Sequence, residues 1–268
     1  MAFRLTTGTL LAVTTLTLSP AAQAFFPFVT DDTGTQGQGG NQVELNYEWV
    51  KAHSDELDLD GRIIGTGTET ANSLASGYTY GVTDNIDIFF GVARQTSPVN
   101  GWLNTEIGAK WVFAGDQAMG WSAAIKPTLI LPVSKNMQDE GLGNAKTNFG
   151  LALVSSFMAP THEIHFNLDY TGNQYAQTDE DQDQRKSLFR ASAAPVYVIN
   201  DQWKVGLDVG LQTNPDYSSK YQAFGELGLQ YAPAPDLQFG LGLLSSTAVN
   251  ASSNGWDVAI TAGVTYQF

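Results

Sequence analysis

The sequence lacks cysteine altogether, is poor in charged residues and has no long apolar run after residue 24. Without cysteine, the chain has no disulfide framework, no thiolate metal site and no lipid attached through a cysteine. A membrane-spanning helix needs about 20 mainly apolar residues in a row, and polar side chains interrupt every later run well before that length. These absences exclude a helical membrane protein and leave packing and backbone hydrogen bonds to stabilise the fold.

Basic residues are also scarce, with 13 Lys and Arg against 27 Asp and Glu and a formal net charge of -14. Nucleic-acid affinity depends on clustered Lys and Arg, and the sequence has no basic run, so we expect no nucleic-acid partner. Charged residues make up 15% of the chain, against about 25% in an ordinary soluble domain. Few charges, together with 6 Trp, 10 Tyr and 14 Phe, indicate an apolar environment.

Residues 1–24 have the pattern of a signal peptide. Arg4 gives a short positive start, residues 5–18 form an apolar stretch diluted by Thr, and Ala24 ends the small-x-small pattern that signal peptidase recognises. We therefore expect export, cleavage after Ala24, and an N-terminal periplasmic or lumenal segment over residues 25–41.

From residue 42 onward apolar and polar side chains alternate, which is the period of a β-strand. This pattern predicts twelve strands, at residues 42–53, 68–82, 86–95, 102–113, 121–133, 147–158, 162–172, 187–199, 203–213, 220–231, 237–246 and 257–268. The connections between them alternate in length, and the short ones contain the Asp, Asn, Pro and Gly that turns require.

Long and short connections alternating over an even number of strands predict an all-β fold, a single transmembrane up-and-down antiparallel β-barrel over residues 42–268. A closed barrel pairs every backbone N–H and C=O group in hydrocarbon, and about 9 to 11 tilted residues cross a bilayer. The alternative, a soluble β-sandwich, would place aromatic rings in the middle of its strands and vary its loop lengths irregularly.

Aromatic residues on the apolar phase fall mostly near the predicted strand ends, as two interfacial girdles require. They are Tyr47, Trp49, Tyr78, Tyr80, Trp111, Phe113, Trp121, Tyr197, Trp203, Tyr231, Tyr266 and Phe268. We therefore expect a location in the outer membrane of a Gram-negative bacterium, with both ends of the mature chain on the periplasmic side. The expected partners are outer-membrane lipid, lipopolysaccharide and the barrel insertion machinery.

Two segments resemble those of a known family. Residues 27–37, followed by Gly39 and the strand at 43–45, are similar to the start of the outer-membrane transporter family named for the MetA pathway of phenol degradation. The motif residues are Thr30, Asp31, Asp32, Gly34, Gln36 and Gly37. Tyr266 and Phe268 resemble the terminal membrane insertion signal of outer-membrane barrels. The resemblance implies a channel for small organic solutes, aromatic compounds among them, and implies little about catalytic residues.

The opposite phase of the strands collects charged side chains, which we expect to project into the lumen. They are Glu44, Glu48, Asp87, Glu106, Lys110, Lys126, His165, Asp169, Arg190, Lys204, Asp208 and Glu226. We predict that seven of them set selectivity, namely Glu48, Glu106, Lys110, Lys126, Arg190, Asp208 and Glu226. Rings of charge in a narrow lumen select permeants, but paired charges can equally serve only to hold the wall together.

The N-terminal segment has two interpretations. It is a flexible periplasmic tail, the usual state of a chain end, or it folds into the lumen, where Asp31 and Asp32 would meet Lys110, Lys126 or Lys204. Small inward residues, such as Gly206 and Gly228, favour an open pore. Inward Phe89 and Phe224, by contrast, fill space.

An enzyme is not expected. The three histidines have no metal-binding spacing, and a barrel lipid hydrolase needs Ser and His on the lipid-facing surface, whereas His165 should point inward. We therefore predict no catalytic residue, metal or cofactor. The favoured function is passage of a small-molecule solute. The alternative is a structural or surface-interaction barrel with a filled lumen and acidic loops at 55–60 and 179–183, and the pattern leaves the oligomeric state open.

Overall fold

The computed structural model describes residues 26–57, 63–176, 184–217, 219–249 and 256–268. The expected signal peptide at 1–24 lies outside these residues, as do the acidic loop at 179–183 and part of the one at 55–60. Among the described residues, no helix is long and apolar enough to cross a membrane.

The described part of the chain forms thirteen strands and one short helix. The elements are β1 (Asn41–Leu57), β2 (Ile63–Thr83), β3 (Ile86–Ser97), β4 (Gly101–Trp102), β5 (Thr105–Gly115), β6 (Gly120–Leu131), α1 (Lys135–Asp139), β7 (Asn148–Met158), β8 (His162–Gly172), β9 (Ser187–Val198), β10 (Trp203–Thr213), β11 (Tyr221–Ala234), β12 (Leu237–Val249) and β13 (Trp256–Gln267).

Twelve of the strands close into one antiparallel barrel. Each long strand pairs with the next along the chain, β3 pairs with β5, and β13 returns to pair with β1 from Gln42↔Gln267 to His53↔Trp256. The two-residue β4 only adds to one end of β3. The predicted twelve-stranded transmembrane barrel is confirmed, because the alternating side chains of every long strand find the neighbour that the up-and-down order requires.

The structure differs from the predicted boundaries at its longest hairpin. The predicted connection 54–67 is largely strand, since β1 and β2 stay paired as far as Leu57↔Ile63. Apolar alternation stops where a hairpin leaves the hydrocarbon, but backbone pairing continues in the β-branched Thr-rich residues 66–70. Similarly, the predicted loop 134–146 contains α1, which begins where the Ser134 hydroxyl accepts a hydrogen bond from Met137 N.

The two faces of the barrel have opposite chemistry. Large apolar side chains are exposed on the outside, for example Leu45 at 54%, Leu168 at 59% and Tyr197 at 58%. Charged side chains such as Asp208 and Glu226 are buried inside. This distribution is the reverse of that in a soluble protein. It suits a barrel surrounded by lipid, because apolar side chains are stable in contact with lipid and polar side chains need hydrogen-bond partners.

The barrel has two distinct ends. The turn end carries the short connections, for example residues 83–86, 198–203 and 234–237, and the loop end carries the long ones. At the turn end Asn41 and Phe268 exchange backbone hydrogen bonds of 3.0 and 2.9 Å. The Tyr266 and Phe268 rings stack there on the outside, with centroids 5.7 Å apart.

Candidate functional site

Most of residues 26–40, hereafter the lumenal segment, lies inside the barrel. Phe26, Phe28, Val29, Thr30 and Thr33 are each at most 2% exposed. The segment enters the turn half of the lumen, where the Gln230 amide donates to Phe26 O at 2.7 Å. It returns to the same end, where Gly39 N donates to Gly81 O at 2.8 Å.

The middle of the lumenal segment reaches the centre of the barrel. Val29 packs there in one cluster with Val50, Phe224, Leu244 and Ala259. These four residues come from β1, β11, β12 and β13, so the cluster joins the segment to four adjacent strands of the wall. The segment is therefore a loop that rises to mid-lumen and descends again.

Inward glycines receive the aromatic rings of the lumenal segment. The Phe28 ring lies against Gly206 and Gly228, and the Phe26 ring lies against Gly240 and Gly263, so closely that a β-carbon at any of the four would overlap a ring. The space that these glycines leave is therefore filled by the segment in the turn half, and the expectation that they favour an open pore does not hold for the docked state. Because glycine has no side chain, these positions leave room for the Phe26 and Phe28 rings.

Asp31 lies between two lysines of the wall. Lys126 Nζ donates to Asp31 Oδ2 at 2.7 Å, and Lys110 Nζ is 3.6 Å from Asp31 Oδ1. Lys110 Nζ also lies 3.6 Å from Asp32 Oδ1 and donates to Asp32 O at 3.2 Å. Lys204 does not take part, because it pairs with Glu163 of the neighbouring wall at 2.7 Å. Of the three lysines considered from the sequence, two meet the segment.

The ionisation of Asp31 follows from this pairing. Burial raises the pKa of Asp31, but the Lys110 and Lys126 ammonium groups outweigh burial and lower that pKa from 3.8 to about 2. Asp31 is therefore an anion at neutral pH, and its charge is matched inside the barrel.

The opposite wall is acidic. The register of β10 and β11 places Asp208 opposite Glu226. Thr30 N donates to Asp208 Oδ2 at 2.6 Å, and Thr30 Oγ1 lies 2.7 Å from Asp208 Oδ1. Thr261 Oγ1 lies 3.4 Å from Glu226 Oε1. The segment thus directs the Asp31 carboxylate to the basic wall and the Thr30 backbone N–H to the acidic wall. The charges of the segment and of the lumen wall are therefore complementary.

The remaining motif residues follow the returning half of the segment. Gly34 N donates to Asp32 Oδ1 at 2.8 Å, and Gln36 N donates to the Asp87 carboxylate at 3.1 and 3.2 Å. Gly37 has φ 71°, a conformation that favours glycine, and its carbonyl lies so close to Gly81 that a β-carbon at Gly81 would overlap it.

Three other charged residues of the predicted set also lie on the lumenal face. Arg190 Nε donates to Asp169 Oδ2 at 3.1 Å across β8 and β9. Glu48 lies 3.4 Å from Ser73 Oγ, and Glu106 is buried on β5. The structure therefore brings Asp31, Lys110 and Lys126 together and places Arg190 nearer the loop end.

Small polar residues of the wall, which the sequence pattern does not single out, hold the segment. Ser156 Oγ accepts from Thr33 N at 3.0 Å, Ser122 Oγ lies 2.6 Å from Thr33 Oγ1, and Ser192 Oγ lies 2.7 Å from Thr30 Oγ1. The Asn167 amide, in the orientation that satisfies its neighbours, accepts from Asp31 N at 2.8 Å. Their one sequence signal is a polar residue on the inward phase.

Ser156 also belongs to a buried chain of polar groups. Its Oγ lies 2.8 Å from His165 Nδ1, and His165 Nε2 lies 3.5 Å from Glu163 Oε2. A serine, a histidine and a carboxylate that contact one another in this order resemble the arrangement of a hydrolase. However, Ser156 is only 1% exposed, and its hydroxyl accepts a hydrogen bond from Thr33 N. The chain of contacts therefore fastens the lumenal segment to β7 and β8.

A small cavity of about 80 Å³ lies on the loop side of Asp31. Its lining includes Asp31, Lys126, Thr128, Gly150, Asn167 and Asp169. Beyond it, described loop residues fold over one another at the loop end. Gln138 Oε1, for example, accepts from Ala145 N at 2.7 Å and from Ala176 N at 3.3 Å.

A lipid-facing barrel with charged lumenal walls, occupied by a segment of its own chain, has the architecture of a channel or porin-like outer-membrane protein. The family model described as "Putative MetA-pathway of phenol degradation" matches residues 29–250, and the chain belongs to that family. A search of curated proteins by sequence gave no match.

Solved structures with the same fold are distant in sequence. An outer-membrane channel from Pseudomonas putida F1 has a TM-score of 0.69 and 11% identity, over 88% of this chain and 98% of that one. The KdgM porin in complex with oligogalacturonate has a TM-score of 0.53 and 10% identity, over 85% of this chain and 99% of that one. The CymD monoaromatic hydrocarbon channel has a TM-score of 0.50 and 9% identity, over 87% of this chain and 90% of that one. At these identities the likeness shows the fold.

Proposed function

We propose that the protein is an outer-membrane channel that passes small organic solutes, aromatic compounds among them, and that the lumenal segment gates it. The observation that carries this proposal is the way in which the segment is held. Asp31, Thr30 and Thr33 meet the wall through hydrogen bonds and ion pairs, Phe28 and Val29 pack on apolar wall residues, and the segment pairs with strand backbone at Gly39 and Gly40. The family and the channel fold of its structural neighbours support the same interpretation.

Release of such a segment is energetically accessible. A typical hydrogen bond contributes about 0.5–1.5 kcal/mol net, because water replaces the partner that is lost. The lumen wall is polar around Thr30, Asp31 and Thr33, so water can solvate Lys110, Asp208 and Ser156 after release, whereas Phe28 and Val29 would leave apolar wall residues. A segment paired along its length with a strand would have no comparable route out, since its backbone groups would all have to be freed together.

We propose that the turn end faces the periplasm and that both ends of the mature chain lie there. The short connections fall at that end, as is usual in outer-membrane barrels. Lipid and lipopolysaccharide would surround the apolar outer face, and the barrel insertion machinery would recognise Tyr266 and Phe268. Residues 1–24 would direct export and be removed.

Selectivity is assigned in this proposal to the charged residues of the lumen. They are Glu48, Glu106, Lys110, Lys126, Arg190, Asp208 and Glu226. Basic Lys110 and Lys126 face acidic Asp208 and Glu226 across the segment, so a permeant at mid-lumen experiences a transverse field. A neutral or amphiphilic organic solute would orient in it, whereas a simple ion would be attracted to one wall and repelled by the other.

Planar-bilayer recording tests the gate. We expect low conductance from the wild type and a several-fold higher conductance from a variant lacking residues 26–36, because the turn half of the lumen is then open. A double variant, Phe26→Ala with Phe28→Ala, should have an intermediate conductance. Because it keeps the full chain, it tests the gate even if the deletion variant does not fold. Phe166→Ala, on the outer face of β8, is the matched control and should conduct like the wild type.

The alternative function is a structural barrel with a permanently filled lumen, which the burial of Phe26 and Phe28 against wall glycines favours. Folded deletion variants that conduct no better than the wild type would support this alternative and overturn the gate.

A further inference from the structure

We infer that the Lys110–Lys126 pair is a binding site for the carboxylate of a small aromatic acid, and that Asp31 occupies this site as an internal substitute when no solute is bound. The inference rests on the proposed channel function and adds the chemical class of one permeant. It also gives the lumenal segment a specific competitor.

The two lysines form an arrangement that a merely structural wall does not need. The register Gly108↔Thr128 and Trp111↔Ile125 places Lys110 directly opposite Lys126. Like charges at opposed positions destabilise a strand pair, and both side chains are less than one-tenth exposed. An anion between them removes this repulsion, and Asp31 is that anion in the structure.

The anion is supplied by the lumenal segment and not by the wall. Two other lumenal ion pairs, Arg190 with Asp169 and Lys204 with Glu163, join one wall residue to another. Asp31 instead belongs to the lumenal segment, and one oxygen of its carboxylate faces each lysine. If the segment leaves, the lysines lose this carboxylate, so a solute that brings another carboxylate stabilises the open state.

The surroundings of the two lysines favour a solute that carries an aromatic ring on its carboxylate. Lys126 Nζ lies 4.9 Å from the centroid of the Phe89 ring, which itself covers Gly108. The cavity beside Lys126 opens a place on the loop side of Asp31 from which a solute can approach. Asp208 and Glu226 on the opposite wall repel an anion, so the carboxylate must point to the lysines and the ring away from them.

Exchange of one carboxylate for another keeps a carboxylate between Lys110 and Lys126. A phenol is uncharged at neutral pH and cannot replace Asp31 in this way, because it brings no carboxylate to lie between the two lysines. The site should therefore separate aromatic acids from neutral aromatic compounds of the same size.

Calorimetric titration of the detergent-solubilised protein with benzoate, and with phenol for comparison, tests the inference. We expect saturable benzoate binding to the wild type. Asp31→Asn should bind benzoate about tenfold more tightly, because the fraction of binding-competent protein rises when the internal competitor is removed. Lys110→Gln with Lys126→Gln should lose that binding, and Lys110→Arg with Lys126→Arg should keep it.

Lys204→Gln is the matched control, since Lys204 is a lumenal lysine that pairs with Glu163, and it should bind benzoate like the wild type. Equal benzoate affinity in the wild type and the double Gln variant would overturn the inference, as would phenol binding that competes with benzoate. Because titration measures binding and bilayer recording measures passage, a protein that binds benzoate and never conducts would defeat the proposed channel while leaving the carboxylate site in place.

Discussion

Asp31 is the residue at which the lumenal segment and the wall are matched in charge. Its neighbours in sequence have different tasks, since Thr30 meets the acidic wall and Asp32 caps the backbone at Gly34. The sequence motif around Asp31 predicted that this carboxylate could meet a lumenal lysine. It did not decide among Lys110, Lys126 and Lys204, because the choice depends on the path of the segment in space.

The pKa of Asp31 gives a prediction at the residue scale. Because this pKa is lowered from 3.8 to about 2, ionised Asp31 stabilises the docked segment fully above pH 4, and the stabilisation is lost as the pH falls through about 2. We expect wild-type conductance in planar bilayers to rise over that interval. Asp31→Asn should already conduct more at pH 7 and show a smaller rise.

Asp169→Asn is the control for other carboxylates, because Asp169 is lumenal but pairs with Arg190 of the wall. It should retain the wild-type rise in conductance. The same pH profile in the wild type and Asp31→Asn would show that Asp31 does not hold the segment.

At the scale of elements, the strands obey a local rule. Alternation places Val43, Leu45 and Tyr47 outward and Gln42 and Glu44 inward, and the structure has this arrangement. The ends of β1 and β2 do not follow from the rule, because beyond the lipid no apolar partner is required and the backbone ladder alone extends them to Leu57 and Ile63.

The end of β13 carries a prediction about assembly. The Phe268 ring is 63% exposed on the outside and stacks on Tyr266, whereas the Gln267 amide donates to Gln42 Oε1 at 2.9 Å. We expect Phe268→Asp to lower the yield of folded protein in the outer membrane several-fold, since a charge replaces an interfacial aromatic ring.

Gln267→Asp is the matched substitution at the adjacent position and should cost much less. The comparison is made by membrane fractionation and immunoblotting at equal expression. Equal outer-membrane yields of the two variants would contradict a role for Phe268 in insertion.

The whole molecule is a closed barrel, and we expect closure to make it resistant to detergent. Each long strand is paired on both sides, so unfolding has no free edge from which to begin. We expect the protein in the outer-membrane fraction, migrating differently on a gel before and after boiling. Recovery as a soluble periplasmic protein, or a helical circular dichroism spectrum, would refute a membrane-embedded barrel.

The sequence by itself determined the strands, their order and the charge of the lumen, because these features follow from a period of two and from the bilayer that every strand must cross. Only the tertiary structure decided that residues 26–40 enter the barrel, that Phe28 covers Gly206 and Gly228, and that Asp31 meets Lys110 and Lys126. The segment has no periodicity, and its contacts join distant positions, such as Thr30 and Asp208, which are 178 residues apart. Such contacts exist only once closure of the barrel has brought all the walls around one short stretch of chain.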